Sequence, residues 1–221
     1  MTADESELRQ RVCDIGRRMY ERGFVAASDG NISVRLGGGR FLCTPSGVSK
    51  GYMSPGMLCV VDGDGKQLDG PAPRTSEVLM HLEIFRQRPD VNAVTHAHPP
   101  HATAFAIAGV APPAGVMPEV EIFLGPVPLA KYAAPGSAAL AQSILPHLKD
   151  KANTILLANH GVVSFDKDLE QAYFHLETID SYCRILLLAG QVGQVCKLSN
   201  RQIEELLQIK KSLGIDDPRL K

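Results

Sequence analysis

Two histidines one residue apart, His96 and His98, form the densest run of metal-binding side chains in the chain. In an extended segment, residues two apart leave the same face with backbone positions about 7 Å apart, so two imidazoles there can converge on one ion. His160 is a third candidate. It sits in Asn159-His160-Gly161 at the end of the apolar run Thr154 to Ala158, where the glycine permits a sharp turn at a sheet edge. Three neutral imidazoles with an open position make a catalytic zinc site, and such a set also accepts manganese or cobalt. Taken singly, each histidine has an ordinary reading as a hydrogen-bonded or solvent-facing side chain. The arrangement supplies the weight. His101 lies just beyond two prolines, where a structural or supporting role competes with ligation, and His81, His147 and His175 fall within helical patterns and read as structural.

A second set of residues suits an anion. Ser28-Asp29-Gly30-Asn31 and Thr44-Pro45-Ser46-Gly47 each combine a glycine, which lets backbone amides approach a ligand, with a hydroxyl or amide donor. Thr75-Ser76 adds hydroxyls at the start of a helical pattern, where partial positive charge attracts phosphate. Together these segments can hold one phosphate, although each alone is more often an ordinary turn or cap. Glu77 follows directly, in a first turn that favours negative charge on its own account.

These side chains must be held by elements that the hydrophobic pattern makes visible. Leu8, Val12, Ile15 and Met19 repeat at helical spacing and Gly23 supplies a stop. Ile32, Val34 and Leu36 alternate with Asn31, Ser33 and Arg35, and with Arg40 to Cys43 after three glycines they predict a β-hairpin. Leu58 to Val61 predicts a strand ended by Asp62-Gly63-Asp64-Gly65. Ser76 to Gln87 predicts a helix with Ser76 as its cap. Val91 to His98 reads as a strand, His101 to Ala108 as a helix, and Thr154 to Ala158 and Val162 to Phe165 as central strands. Asp168 is expected to cap a long helix with core residues Leu169, Ala172, Tyr173, Leu176, Ile179, Cys183 and Leu187. Ser199 with Gln202 forms a capping box for a last helix that ends near Gly214. Hairpins mixed with single helices, lacking a regular βαβ rhythm, indicate a sheet with much antiparallel pairing covered by helices.

The composition narrows the partners. With 221 residues, 23 Lys+Arg against 24 Asp+Glu and a net charge of -1, the chain reads as one domain over 1–221 without a basic stripe for nucleic acid or a membrane surface. Trp is absent and aromatics make up only 5%, leaving few rings on which bases could stack. The acidic N-terminus is unlike a signal peptide and no apolar run is long enough to span a membrane, so a cytoplasmic location is expected. Five scattered cysteines lacking a C-x-x-C pair read as reduced thiols.

In chain order, Ser-Asp-Gly-Asn-Ile-Ser-Val-Arg (28 to 35), Thr-Pro-Ser-Gly (44 to 47), Thr-Ser-Glu (75 to 77), His-Ala-His-Pro-Pro-His (96 to 101), Pro-Gly-Ser (135 to 137) and Asn-His-Gly (159 to 161) resemble the motifs of the class II aldolase/adducin family. The likeness is greatest to its L-fuculose-phosphate aldolase branch and runs from about Leu8 to Gly190. It implies a three-layer α/β/α fold with a mostly antiparallel central sheet, and a homotetramer with active sites near subunit interfaces. It also implies one Zn2+ per subunit on His96, His98 and His160, and a phosphate cradle of Gly30, Asn31, Ser46, Gly47, Thr75 and Ser76. Glu77 matches the family's acid/base carboxylate, worth about 10² to 10⁴-fold in such a role. The implied activity is metal-dependent cleavage of a ketose or deoxyketose 1-phosphate, through a metal-stabilised enediolate, to dihydroxyacetone phosphate and a short aldehyde. A glutamate at 77 favours this over the sister 4-epimerases, which carry aspartate. Decarboxylation, dehydration or epimerisation of a sugar or sugar-acid phosphate on the same site is the alternative, and a non-catalytic module like the adducin head is the third. The family's aldehyde-side tyrosines have no counterpart in Gly115 to Glu121 or after Leu198; Glu121 and Tyr132 are candidate substitutes, each read more readily as a surface carboxylate or a packed aromatic, and a different aldehyde partner or a relaxed specificity is expected.

Overall fold

The computed structural model describes residues 3–149, 152–215, 217 and 219–220. The first helical pattern becomes α1 (Ala3–Glu21), whose Val12, Ile15 and Met19 are all buried. The alternating run becomes β1 (Asn31–Gly37), which turns back into β2 (Arg40–Cys43). Two short 3-10 turns, Lys50–Tyr52 and Pro55–Met57, lead to β3 (Cys59–Asp62) and β4 (Gln67–Asp69). There follow α2 (Val78–Gln87), β5 (Ala93–Ala97), α3 (Pro100–Ala108), α4 (Pro118–Phe123), β6 (Leu129–Ala130) and α5 (Ala138–Lys149). A hairpin of β7 (Thr154–Leu157) and β8 (Gly161–Asp166) precedes α6 (Leu169–Val192) and α7 (Asn200–Ser212).

The strands form one sheet in the order β4-β3-β2-β1-β5-β8-β7-β6. Every neighbouring pair is antiparallel except β6 with β7, as the sequence pattern and the resemblance led one to expect. Because side chains alternate across a strand, the sheet divides the apolar residues into two sets. Ile32, Val34, Ala93, Ala97 and Val162 pack with residues of α1, α3 and α6 on one face. Phe41, Val94, Ile155, Val163 and Phe165 pack with α2 and α5 on the other. Helices thus cover both faces of one sheet. Each fully buried Leu, Ile or Phe contributes about 1.5–3 kcal/mol relative to exposure, so the two faces together hold the strands in a fixed register.

Three local expectations need correction. Ser76 does not cap α2: Glu77 occupies that position without a side-chain cap bond, because its carboxylate is turned toward Asn31. In α6 the buried residue after Cys183 is Leu186, and Leu187 is 43% exposed, since three residues complete that turn more nearly than four once the 3.6-residue period has drifted along the helix. The elements β4, β6, α4 and α5 had no counterpart in the pattern. By contrast, Asp168 accepts hydrogen bonds from the Glu170 and Gln171 amides, and Ser199 and Gln202 make the reciprocal capping box.

Candidate metal centre

The three central strands bring the motifs together. Asn31 of β1 lies opposite His96 of β5, and His96 lies opposite Val163 of β8. Ile32 and Val34 face α1 and α6, so Asn31 and Ser33 face α2, as does His96. On that side the Asn31 amide donates to Glu77 Oε2 at 2.8 Å, and His81 Nδ1 pairs with Ser33 Oγ at 2.7 Å. His98 follows the last residue of β5 and is tethered by its own N–H to the Phe24 carbonyl at 2.9 Å. His160 comes from the turn joining β7 to β8, after Asn159 in the left-handed region at φ 55°. Two glycines permit the close approach. A Cβ on Gly161 would stand 2.5 Å from the Ala97 carbonyl oxygen and 2.6 Å from His98 Cδ2, and one on Gly30, at φ 70°, would stand 2.9 Å from the His96 carbonyl oxygen.

The ligand atoms of His96, His98 and His160 all lie within 4.8 Å of one another, with ring centroids 4.7 to 5.2 Å apart. Glu77 stands beside them, its Oε2 3.2 Å from His96 Nε2 and its Oε1 3.4 Å from His160 Nε2. The donor chemistry fits a cation. His96 Nδ1 lies 2.9 Å from the Val162 carbonyl, which can only accept, so the ring proton sits on Nδ1 and Nε2 presents a lone pair. That lone pair faces a carboxylate oxygen at 3.2 Å, an arrangement that is repulsive unless a positive charge lies close to both. His96 Nε2, His98 Nε2, His160 Nδ1 and Glu77 Oε1 are all buried and lack a hydrogen-bond partner. Such groups are costly unless something satisfies them.

Protonation agrees with ligation. Burial pushes His96 down to about 3, outweighing the opposing pull of Glu77, and burial also lowers His160, so both rings stay neutral at pH 7. Burial alone would raise the Glu77 carboxyl. The hydrogen bond from Asn31 works against burial, and Glu77 lies below the usual carboxylate range.

The segments expected to hold phosphate lie side by side. The Thr75 amide donates to the Thr44 carbonyl at 3.1 Å, the Ser46 amide donates to the Pro73 carbonyl at 2.8 Å, and Ile32 N–H donates to Thr44 Oγ1 at 3.2 Å. Ser46, Gly47 and Ser76 are exposed, whereas Thr75 is buried and its Oγ1 accepts from the Glu77 amide. Gly136 packs against Ser76, which brings the Pro-Gly-Ser motif to the same edge. Asn31 differs from expectation in one respect: its side-chain donor is committed to Glu77.

Other residues separate more sharply. His101 is structural, its backbone amide and ring Nδ1 both held by Asp180, which also accepts from the Ala102 amide and so caps α3. Glu121 is 1% exposed and spent on the Gly115 amide and Arg219, so it does not serve as an open aldehyde-side acid. Tyr132 is 63% exposed. Two groups went unnoticed in the pattern. Asp29 Oδ2 lies 3.5 Å from His98 Nδ1, and Lys50 is buried between the two glycine-containing loops. Asp29 sat inside a motif read as an anion cradle, where a carboxylate gives no signal. A lone lysine after a turn ordinarily means solvent.

A mostly antiparallel sheet covered by helices carries three histidines and a glutamate at one end of its central strands. Residues 10–187 match the family described as Class II Aldolase and Adducin N-terminal domain, and the chain belongs to that family. It is 33% identical over 190 residues to the 3-oxo-tetronate 4-phosphate decarboxylase of Escherichia coli (strain K12), covering 84% of this chain and 89% of the relative. It is also 33% identical over 171 residues to the L-fuculose phosphate aldolase of Methanococcus maripaludis, covering 77% and 91% respectively. A solved L-fuculose 1-phosphate aldolase superposes with a TM-score of 0.86 at 26% identity, over 96% of this chain and 98% of that one.

Proposed function

We propose that this chain is a divalent-metal-dependent carbon–carbon lyase acting on a phosphorylated keto sugar. The observation that carries the reading is the convergence of His96, His98, His160 and Glu77 on one point, each with a buried polar atom that lacks a hydrogen-bond partner. His96, His98 and His160 would hold a divalent ion, which would supply a Lewis acid for negative charge developing on a substrate carbonyl oxygen. Zn2+ is the expected ion, and Mn2+ and Co2+ suit the same ligands. Glu77, ionised and oriented by Asn31, moves a proton at the carbon next to that carbonyl. Gly30, Ser46, Gly47, Thr75 and Ser76, with the backbone at Asn31, orient the substrate through its phosphate.

Aldol cleavage of a ketose or deoxyketose 1-phosphate to dihydroxyacetone phosphate and a short aldehyde is the primary reading. Decarboxylation of a keto sugar-acid phosphate is the second, favoured by a specific observation. Retro-aldol cleavage must take the proton from the hydroxyl that becomes the aldehyde oxygen, and Glu121 is locked in an ion pair. Loss of carbon dioxide needs no such base. A homotetramer with sites near subunit interfaces completes the proposal. The test is a panel of ketose 1-phosphates and keto sugar-acid phosphates, assayed with and without chelator for dihydroxyacetone phosphate and for carbon dioxide. Chelator-sensitive dihydroxyacetone phosphate supports the primary reading and chelator-sensitive carbon dioxide the second. Neither product from folded, metal-loaded protein would sink both.

A further inference from the structure

The residues proposed to hold the phosphate include no lysine or arginine, although a phosphate monoester carries nearly two negative charges at neutral pH. A cation joined to both glycine-containing loops is Lys50. Its side chain is among the most completely buried in the chain, at 1% exposure. Nζ donates to the Ser28 carbonyl at 2.8 Å and the Val48 carbonyl at 2.6 Å. Those two carbonyls belong to the loops that carry Asp29-Gly30-Asn31 and Ser46-Gly47, so one ammonium joins both. Its backbone is pressed against α1, where a Cβ on Gly16 would stand 2.8 Å from the Lys50 carbonyl oxygen, which leaves the side chain little room to withdraw.

A buried ammonium is expensive unless it is paired. Among the described residues no carboxylate lies within 4.0 Å of Lys50 Nζ, and burial pushes the group down to about 8 against the opposing influence of Asp29. Two neutral carbonyls satisfy its hydrogen bonds but do not neutralise its charge. An anion bound between the two loops does.

We propose that Lys50 is a positioning residue of the phosphate site, tying the two loops together and setting behind them the positive charge that the cradle lacks. This rests on the phosphate reading given above. The rival is a lysine that merely staples two loops, and the two differ in what its removal does to anion affinity once the protein is folded.

The experiment measures binding of inorganic phosphate to the metal-loaded protein by calorimetry, alongside metal content and melting temperature. The proteins are wild type, Lys50→Met, Lys50→Gln and Ser46→Ala. Methionine keeps the stem without a charge, glutamine keeps two donors without a charge, and whichever folds with full metal content suffices. The expected result is a loss of phosphate affinity of about tenfold or more in the lysine variants, the scale set by one charge acting at short range. With a substrate that turns over, KM is expected to rise more than kcat falls. Wild-type phosphate affinity in a folded Lys50 variant, with affinity lost in Ser46→Ala, would overturn the role of Lys50 and leave the cradle standing. No phosphate binding by the wild type would remove the cradle and this inference together.

Discussion

Glu77 is held in place by a neighbour rather than by its own helix. It stands at the start of α2 without capping it, accepts the Asn31 amide, and presents Oε1 toward the imidazoles with no hydrogen-bond partner. Replacing it with glutamine keeps the shape and the three histidines but removes the proton carrier. Glu77→Gln is therefore expected to retain metal and lose turnover by about 10² to 10⁴-fold, read by metal analysis beside a rate assay. Normal turnover would refute the acid/base role. Asp29 is the other residue whose role depends on a neighbour. Its carboxylate faces His98 Nδ1 at 3.5 Å while His98 Nε2 is buried toward the cluster, the arrangement in which a carboxylate orients a ligating ring. Asp29→Ala is expected to weaken metal binding by about 10- to 100-fold, measured by competition with a calibrated chelator, and unchanged affinity would make Asp29 a bystander. The histidines were legible because histidine is the commonest metal ligand and their spacing matches a strand. Asp29 and Lys50 were not, since a carboxylate and a lysine in polar loops look like solvated charge until the fold buries one and aims the other.

Gly161 begins β8 directly after His160, and its missing side chain is the space His98 occupies. Alanine there would place Cβ within 2.6 Å of both the Ala97 carbonyl oxygen and His98 Cδ2, and backbone on one side cannot yield. Gly161→Ala is accordingly expected to fold less stably, by about 1–3 kcal/mol as for other overpacked sites, and to lose metal affinity through the displaced ring. Denaturant unfolding of the metal-free protein and chelator competition read the two effects separately, and full metal affinity would show that the turn relaxes without moving His98. This hairpin was readable from sequence because β7 and β8 are continuous apolar runs joined by a turn triplet. So were α1, β1 with β2, α6 and α7, each carrying periodicity or a cap. The elements that escaped notice lack such signals. β6 has two residues and exists through its pairing with β7, and β4 has three residues at the sheet edge. α4 is only six residues long, and α5 carries Pro146 within it, a residue that ordinarily argues against a helix. Short and interrupted elements owe their form to tertiary packing, which one strand of letters does not record.

At the scale of the whole molecule, the chain's far end is locked to its middle by charge. Lys210 of α7 donates to Asp217 at 2.8 Å. Arg219 reaches Asp217 with Nε and Nη2, both at 2.9 Å, and Glu121 of α4 with Nη1 at 2.7 Å. Lys210, Glu121 and Asp217 are all buried, so each charge depends on the others. Burial alone would raise the Asp217 carboxyl, but the bonds from Arg219 and Lys210 outweigh it and hold the group well below the ordinary carboxylate range. The sign follows from that direction. A carboxyl whose folded value is depressed adds stability that is fully present above its unfolded value, about 3.9 for aspartate, and is lost as pH falls below it. Asp217→Asn leaves Lys210 and part of Arg219 uncompensated in a buried place, and is expected to cost about 3 kcal/mol at neutral pH. The gap between wild type and variant should then narrow as pH drops from about 4 toward 2, because over that range the unfolded wild-type chain alone takes up a proton at this position. Urea unfolding of both proteins at pH 7, 4 and 2.5 measures it. A gap that stays constant across that range would mean that the contribution of Asp217 is steric, and that the tail is held by packing instead of charge.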